Sequence, residues 1–247
     1  MNATTAQVLP VTLSPMDRLY YVSRERGGTF ITKPYVMHTA LYYAFGVFKT
    51  RFRCKEQTPF YKQDRDDSET TAYIHPATAT ETPDYETRRF AVKADKYRTE
   101  SEQENRNLME TGYQKTILPE KGSSGQLTYQ TFVTRTETGD FGPLDQQSTW
   151  YIRVGKKMTP TLVQTGQIHK AAVETGSFTL GQPIAADDID TEERYDLLGD
   201  LRWERMNPVD LIVSGRFQGP HVMIENEHER GPDSISLPVD TEFLTAG

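Results

Sequence analysis

Basic residues set beside glycines are the groups in this sequence best suited to chemistry with an anion. Arg24 and Arg26 precede the paired Gly27 and Gly28, and Arg153 is followed by Gly155, Lys156 and Lys157. A strand that ends at a glycine with two lysines beyond it offers backbone N–H groups and ammonium charges to a phosphate, and a guanidinium fork suits a phosphate or an extruded base. A solvated strand end, or a salt bridge from the arginines to Glu25 or another acidic loop, accounts for the same residues without a ligand. Arg216 lies in the run Gly215 to Gly219, which fits a glycine-rich RNA-binding loop and an ordinary hairpin loop equally. The five histidines, His38, His75, His169, His221 and His228, are dispersed, and no pair has the spacing of a shared metal site. His38 sits in an apolar run and is either a core histidine with a satisfied hydrogen bond or a general base. The single Cys54 excludes an internal disulfide and a cysteine-based metal site. No Ser-His-Asp arrangement, Walker loop or Gly-x-Gly-x-x-Gly occurs, so neither an enzyme nor a cofactor is expected.

The elements that must hold these groups centre on Met16 to Phe48, which contains the densest apolar and aromatic run in the chain. Leu19 to Val22 predicts a half-buried strand, Ser23 to Gly28 a break, and Pro34 to Gly46 a short helix with Pro34 in its first turn and Gly46 at its stop. Val36, Met37, Ala40, Leu41, Ala44 and Phe45 cover most of that helix, which should therefore pack against a sheet; Tyr20, Tyr42 and Tyr43 belong to the core rather than to a stacking platform. Further strands are expected at Thr5 to Leu13, Thr71 to His75, Arg88 to Ala94, Thr111 to Leu118, Leu127 to Arg135, Thr149 to Val154, Leu162 to Ile168 and Ala171 to Thr175. Asp187 to Leu198 predicts a second helix, capped by Asp190 or Thr191 and closed by Gly199, and Val209 to Phe217 with His221 to Glu225 predicts a final strand pair. Phe48 to Cys54 alternates aromatic and basic residues, as a strand edge or an RNA-facing ribbon would.

The length of 247 residues suits an elaborated domain, and the apolar fraction of 36% is low because much of the chain is polar connection. We expect a core from residues 1–54 and 126–230, a polar thumb-like insertion at 55–125 with short strands, and a tail at 231–247. The net charge of −7 argues against nucleic acid, but the imbalance is local: acids gather at Asp64 to Glu69, Glu100 to Glu104, Asp187 to Glu193 and Glu225 to Glu229. A basic face can coexist with such loops. With no long apolar stretch and no signal-like N-terminus, a soluble, cytoplasmic protein is expected, without membrane contact.

The run LYYVSRERGGTFITKPYVMHTALYYAFGV resembles the N-terminal signature of the Csc-one family, the Cas-five-type subunit of type I-D CRISPR effector complexes, through Ser23, Arg24, Glu25, Tyr35, His38, Ala40, Leu41, Tyr43, Ala44 and Gly46. Trp150 to Met158 resembles the family's strand ending in Arg-x-Gly-Lys, and Met206 to Leu211 its Asn-Pro-Leu-Asp segment. The resemblance implies an α+β, ferredoxin-like (RRM-like, RAMP) βαββαβ domain. It further implies a non-catalytic subunit that binds the 5′ handle of the CRISPR RNA, caps the backbone filament, contacts the large subunit and a Cas-seven-type backbone subunit, and helps place target DNA. The RNA-binding positions expected are Arg24, Arg26, Gly27, Gly28, His38, Arg153, Lys156, Lys157 and Arg216. Two other readings stay open: a metal-independent CRISPR RNA endoribonuclease using His38, since related subunits of other subtypes cut RNA without metal, and a protein-only assembly module.

Overall fold

Alternation of β-branched and aliphatic residues on both faces makes Thr5–Pro15 (β1) the middle of the molecule. Leu9, Val11 and Leu13 point into the main core, whereas Ala6 and Val8 join a second cluster with Phe132, Val222, Ile224, Ile235 and Leu237. A strand apolar on both sides must be covered on both sides, and here the covers are a helix with its neighbours and another sheet. The computed structural model describes residues 5–21, 23–26, 29–48, 61–66, 68, 72–93, 109–119, 125–136, 141–189, 191, 194–225 and 234–239. The expectations for Gly27, Gly28, His228 and the basic run from Lys49 to Cys54 fall outside these residues.

In chain order the strands are β1, Arg24–Arg26 (β2), Thr29–Ile31 (β3), Tyr35–Val36 (β4), Ala72–Ile74 (β5), Ala77–Ala79 (β6), Tyr85–Lys93 (β7), Met109–Ile117 (β8), Tyr129–Thr136 (β9), Thr149–Val154 (β10), Thr159–Thr165 (β11), His169–Ala172 (β12), Glu174–Thr179 (β13), Ile184–Ala185 (β14), Asp196–Glu204 (β15), Leu211–Glu225 (β16) and Ser234–Pro238 (β17). Helices α1 (His38–Ala44) and α2 (Tyr61–Asp66) follow β4. An eight-stranded antiparallel sheet runs β10-β11-β1-β9-β6-β4, with β12 beside β1 and β5 beside β9. In a five-stranded sheet, β13, β14, β15 and β17 all pair with the long β16. The remaining sheet has the order β2-β3-β8-β7. The polar region 55–125 thus lends β5 and β6 to the large sheet and β7 and β8 to the small one.

Several local expectations need correction. β1, α1, β5–β6 and β9 follow a β-α-β-β course, with β9 between β1 and β5–β6, but a 3-10 turn at Gly142–Asp145 and β10 stand between β9 and β11. The expected late helix at Asp187 to Leu198 is a 3-10 turn, Ala186–Asp188, and the start of β15. Among the described residues the molecule is therefore mostly β-sheet with few helices, and the second helix of a βαββαβ pattern is not found where the sequence suggested it. Tyr35 and Val36 pair with Thr78 and Ala77, so the helix starts at His38 rather than Pro34. It stops as expected at Gly46, whose φ of 76° supplies the left-handed turn. Of the strand expected at Leu19 to Val22, the described residues 19–21 form none; Leu19 makes a single bridge to Ile117. Arg24–Arg26, expected as a break, is a strand paired with Thr29–Ile31. Val209 to Glu225 holds no hairpin but the continuous β16, and Gly215 and Gly219 serve close packing rather than a turn: a Cβ there would run into Leu201 Cδ2 and the Tyr195 ring. The tail, without a sequence pattern, contributes β17.

α1 docks with His38, Thr39, Leu41 and Tyr42 buried. Tyr42 donates its hydroxyl to the Ala72 carbonyl at 2.8 Å and accepts the Ile74 N–H at 3.0 Å, fastening helix to sheet. Gln182 Nε2 reaches the Pro76 and Gln130 carbonyls at 2.6 and 3.1 Å, fastening the five-stranded sheet to the eight-stranded one.

Candidate nucleic-acid interface

The β10–β11 hairpin closes through Gly155 to Met158, with φ of 78° at Gly155 and 53° at Met158. The turn rests on the segment that follows β1. Lys156 donates its N–H to the Tyr20 carbonyl at 2.9 Å, and the Thr159 hydroxyl donates to the Arg18 carbonyl at 2.9 Å. Within the turn, Met158 N–H is given to the Gly155 carbonyl at 3.0 Å, and Arg153 Nη1 to the Met158 carbonyl at 3.0 Å. The sequence expectation that this strand end offers backbone N–H groups is therefore amended, since those of Lys156 and Met158 are spent on protein carbonyls. What it offers are the exposed side chains of Arg153, Lys156 and Lys157. Lys157 Nζ lies 5.6 Å from the Tyr20 ring centroid, which limits how far its ammonium wanders.

The supporting segment joins the turn to the small sheet. Leu19 exchanges both backbone hydrogen bonds with Ile117 of β8, at 2.9 and 3.0 Å. Arg18 pairs with Glu86 at 3.0 Å, and Arg88 with the same carboxylate at 3.1 Å. Arg24 and Arg26 stand in β2 at the edge of that sheet. The loop at Met206 to Asp210 closes behind them, with Asn207 N–H on the Ser23 carbonyl at 2.8 Å. Segments far apart in the sequence, 18–26, 153–158 and 206–210, thus meet around one seam.

Two of the expected positions lie elsewhere. Arg216 belongs to β16 and pairs with Asp200 at 2.9 Å, on a different sheet from the turn. His38 is buried at 2% exposure, with Nε2 2.9 Å from Asp188 Oδ2, so its imidazole does not face solvent, where RNA would lie. Tyr73 donates its hydroxyl to the same carboxylate oxygen at 2.8 Å. Sequence reasoning misses Asp188 altogether; it stands in a run that predicts a helix, and nothing local marks its distant partners. Burial and the Asp188 charge push the Tyr73 hydroxyl far up, so it stays a donor. Among the described residues no group of three or more His, Cys, Asp or Glu could hold a metal ion, and no helix is long and apolar enough to cross a membrane.

His75, next to this cluster and fully buried, is held neutral: burial, helped by His38, lowers its pKa from 6.5 to about 3. The unfolded chain takes up this proton below about pH 6.5 while the folded chain refuses it until about pH 3, so His75 makes the fold less stable as pH falls through that window. The slope for one proton is roughly 1.4 kcal/mol per pH unit. Urea denaturation between pH 7 and 4 should show a shallower loss in His75→Gln than in the parent. Parallel curves would show that His75 does not set the slope.

The model of the family described as type I-D CRISPR-associated protein Cas5/Csc1 matches residues 6–246. Among solved structures, two of a type III-B Cmr-beta complex bound to cognate target RNA, one of them also with AMPPnP, hold a chain that is similar at 12% identity and a TM-score of 0.44, covering 85% of this chain and 86% of that one. A CRISPR protein from Archaeoglobus fulgidus is similar at 13% identity and a TM-score of 0.40, covering 93% of this chain and 98% of the other. No curated protein matches.

Proposed function

Since the chain belongs to the type I-D CRISPR-associated Cas5/Csc1 family, we propose that it is a non-catalytic, RNA-holding subunit of a type I-D surveillance complex. In this reading it grips the 5′ handle of the CRISPR RNA, caps the backbone filament beside a Cas-seven-type subunit and the large subunit, and helps place target DNA. The observation that supports it most is the Gly155 to Met158 turn. Its backbone is fastened to Tyr20 while Arg153, Lys156 and Lys157 remain exposed, so three cations are held at defined positions with their charges facing solvent. Such a turn recognises phosphates by position; sequence is left to guide pairing. Arg24 would add charge across the seam. The burial of His38 against Asp188 supports the non-catalytic reading over the ribonuclease one.

The test is salt-dependent binding of the chain, in complex with its adjacent backbone subunit, to labelled CRISPR RNA with and without the handle, in EDTA. Parent complex should bind the handle-bearing RNA more tightly and leave it intact. Arg153→Gln/Lys156→Gln/Lys157→Gln should weaken binding and flatten the salt dependence by about 0.7 in log–log slope for each phosphate no longer neutralised. Binding indifferent to the handle and to the triple substitution would favour a protein-only assembly role, and a shortened RNA would restore the nuclease reading.

A further inference from the structure

The small sheet has a face whose composition is unusual for a chain with net charge −7. Its register sets residues in rows. Arg24 stands opposite Ile31, Ile31 opposite Lys115, and Lys115 opposite Thr87. Two residues along, Arg26 stands opposite Thr29, Thr29 opposite Tyr113, and Tyr113 opposite Arg89. Side chains alternate across a pleated sheet, so these two rows share one face. Glu86 occupies an intervening position and falls on the other face. One face therefore gathers Arg24, Lys115 and Arg89, and the described side chains at its register positions include no carboxylate.

This face is open. Thr87 and Arg89 are exposed, and Tyr113 is 46% exposed although it is a large aromatic residue. At its far end stands Tyr85, with the Lys115 ammonium 3.9 Å above its ring centroid. Tyr85 and Tyr35 line a groove of about 690 Å³ with Pro34, Pro83 and the Thr78 to Thr82 segment, which includes Glu81. Burial, and next the nearby Glu204 carboxylate, push both tyrosine hydroxyls up, so they remain protonated donors at neutral pH. Arg24 and Lys115 share one row, and Arg89 stands in the next, roughly 6.6 Å further along the strands, so the three cations form a stepped line across the face. An exposed tyrosine and a tyrosine-lined groove suit unpaired bases, whose faces a duplex keeps stacked away.

We propose that this sheet face is a track for single-stranded nucleic acid, with phosphates on Arg24, Lys115 and Arg89, one base stacked on Tyr113, and the strand leading to the groove between Tyr35 and Tyr85, where another base is held. The track is separate from the Gly155 turn and does not depend on the handle reading. RNA and DNA share the chemistry, and the experiment separates them. The complex with the adjacent subunit is titrated with single-stranded RNA with and without the handle, single-stranded DNA and duplex DNA, each carrying 5-iodo-pyrimidines for photocrosslinking. The tighter of the two handle-less single strands identifies the source. Arg89→Gln/Lys115→Gln should lower single-strand affinity about tenfold, with a shallower salt slope, and leave the increment due to the handle unchanged. Arg89→Lys/Lys115→Arg should restore binding, which a folding defect at these positions would not allow. Crosslinks should map to Tyr113 or Tyr85. Unchanged affinity in the Gln variant, crosslinks confined to other segments, or preference for the duplex would each overturn the track. If the parent complex bound RNA no more tightly with the handle than without it while the Gln variant still lost single-strand affinity, the handle reading would fall and this one would stand.

Discussion

Asp188→Ala is expected to destabilise the protein by about 2–6 kcal/mol, because it strips the acceptor from two buried donors and each costs about 1–3 kcal/mol when left unsatisfied. Asp188 is 5% exposed, and a single oxygen, Oδ2, receives both His38 Nε2 at 2.9 Å and the Tyr73 hydroxyl at 2.8 Å. Both partners are themselves buried, at 2% and 0% exposure, so neither can recover the lost bond from water. The cluster also joins separate parts of the fold: His38 opens α1, Tyr73 lies in β5 of the eight-stranded sheet, and Asp188 follows β14 of the five-stranded one. Its loss should therefore lower the urea midpoint of the whole cooperative transition rather than fray one edge. Asp188→Asn keeps an acceptor and should cost less. If Asp188→Ala unfolded at the parent midpoint, the junction of helix and sheets would have to be held by apolar packing alone.

Gly155→Ala should cost about 2–3 kcal/mol, composed of about 1–2 for an L-residue in the left-handed region and about 1 for the hydrogen bond it displaces. At φ +78° the added Cβ would stand 2.5 Å from the Tyr20 carbonyl oxygen, the acceptor of Lys156 N–H. That oxygen is backbone, so the turn must lift. Lys156 and Lys157 would lift with it, and RNA affinity should fall although no charge has been removed. Gly46→Ala is the control: its φ is +76°, with nothing within 4 Å of the new Cβ, so it bears only the conformational cost and should leave RNA binding intact. Equal RNA affinity for parent and Gly155→Ala would show that the turn's placement does not matter to binding.

Strands whose signal is local are legible. Thr149 to Val154 is expected with the bounds that β10 has, and β1, β5, β8 and β9 lie within a few residues of their expected places. The stop at Gly46, the buried helix before it and the glycine–lysine strand end are legible for the same reason, since propensity and alternation act over a handful of neighbours. Asp187 to Leu198 shows the limit: acids beside a capping residue and a closing glycine satisfy every local rule for a helix, yet Asp196 to Glu204 gains more by pairing with β16. Gly215 and Gly219 look like turn residues until Leu201 and Tyr195 are placed over them. His38 has an undecided role until Asp188 is brought to it from far along the chain. The sequence by itself determined the strand-rich composition, the early helix, the cationic turn and the family resemblance. Tertiary structure alone decided which cations share a face, which histidine is sealed, and that a long polar region feeds two sheets. Those outcomes depend on contacts between residues distant in sequence, whose energies no local pattern encodes.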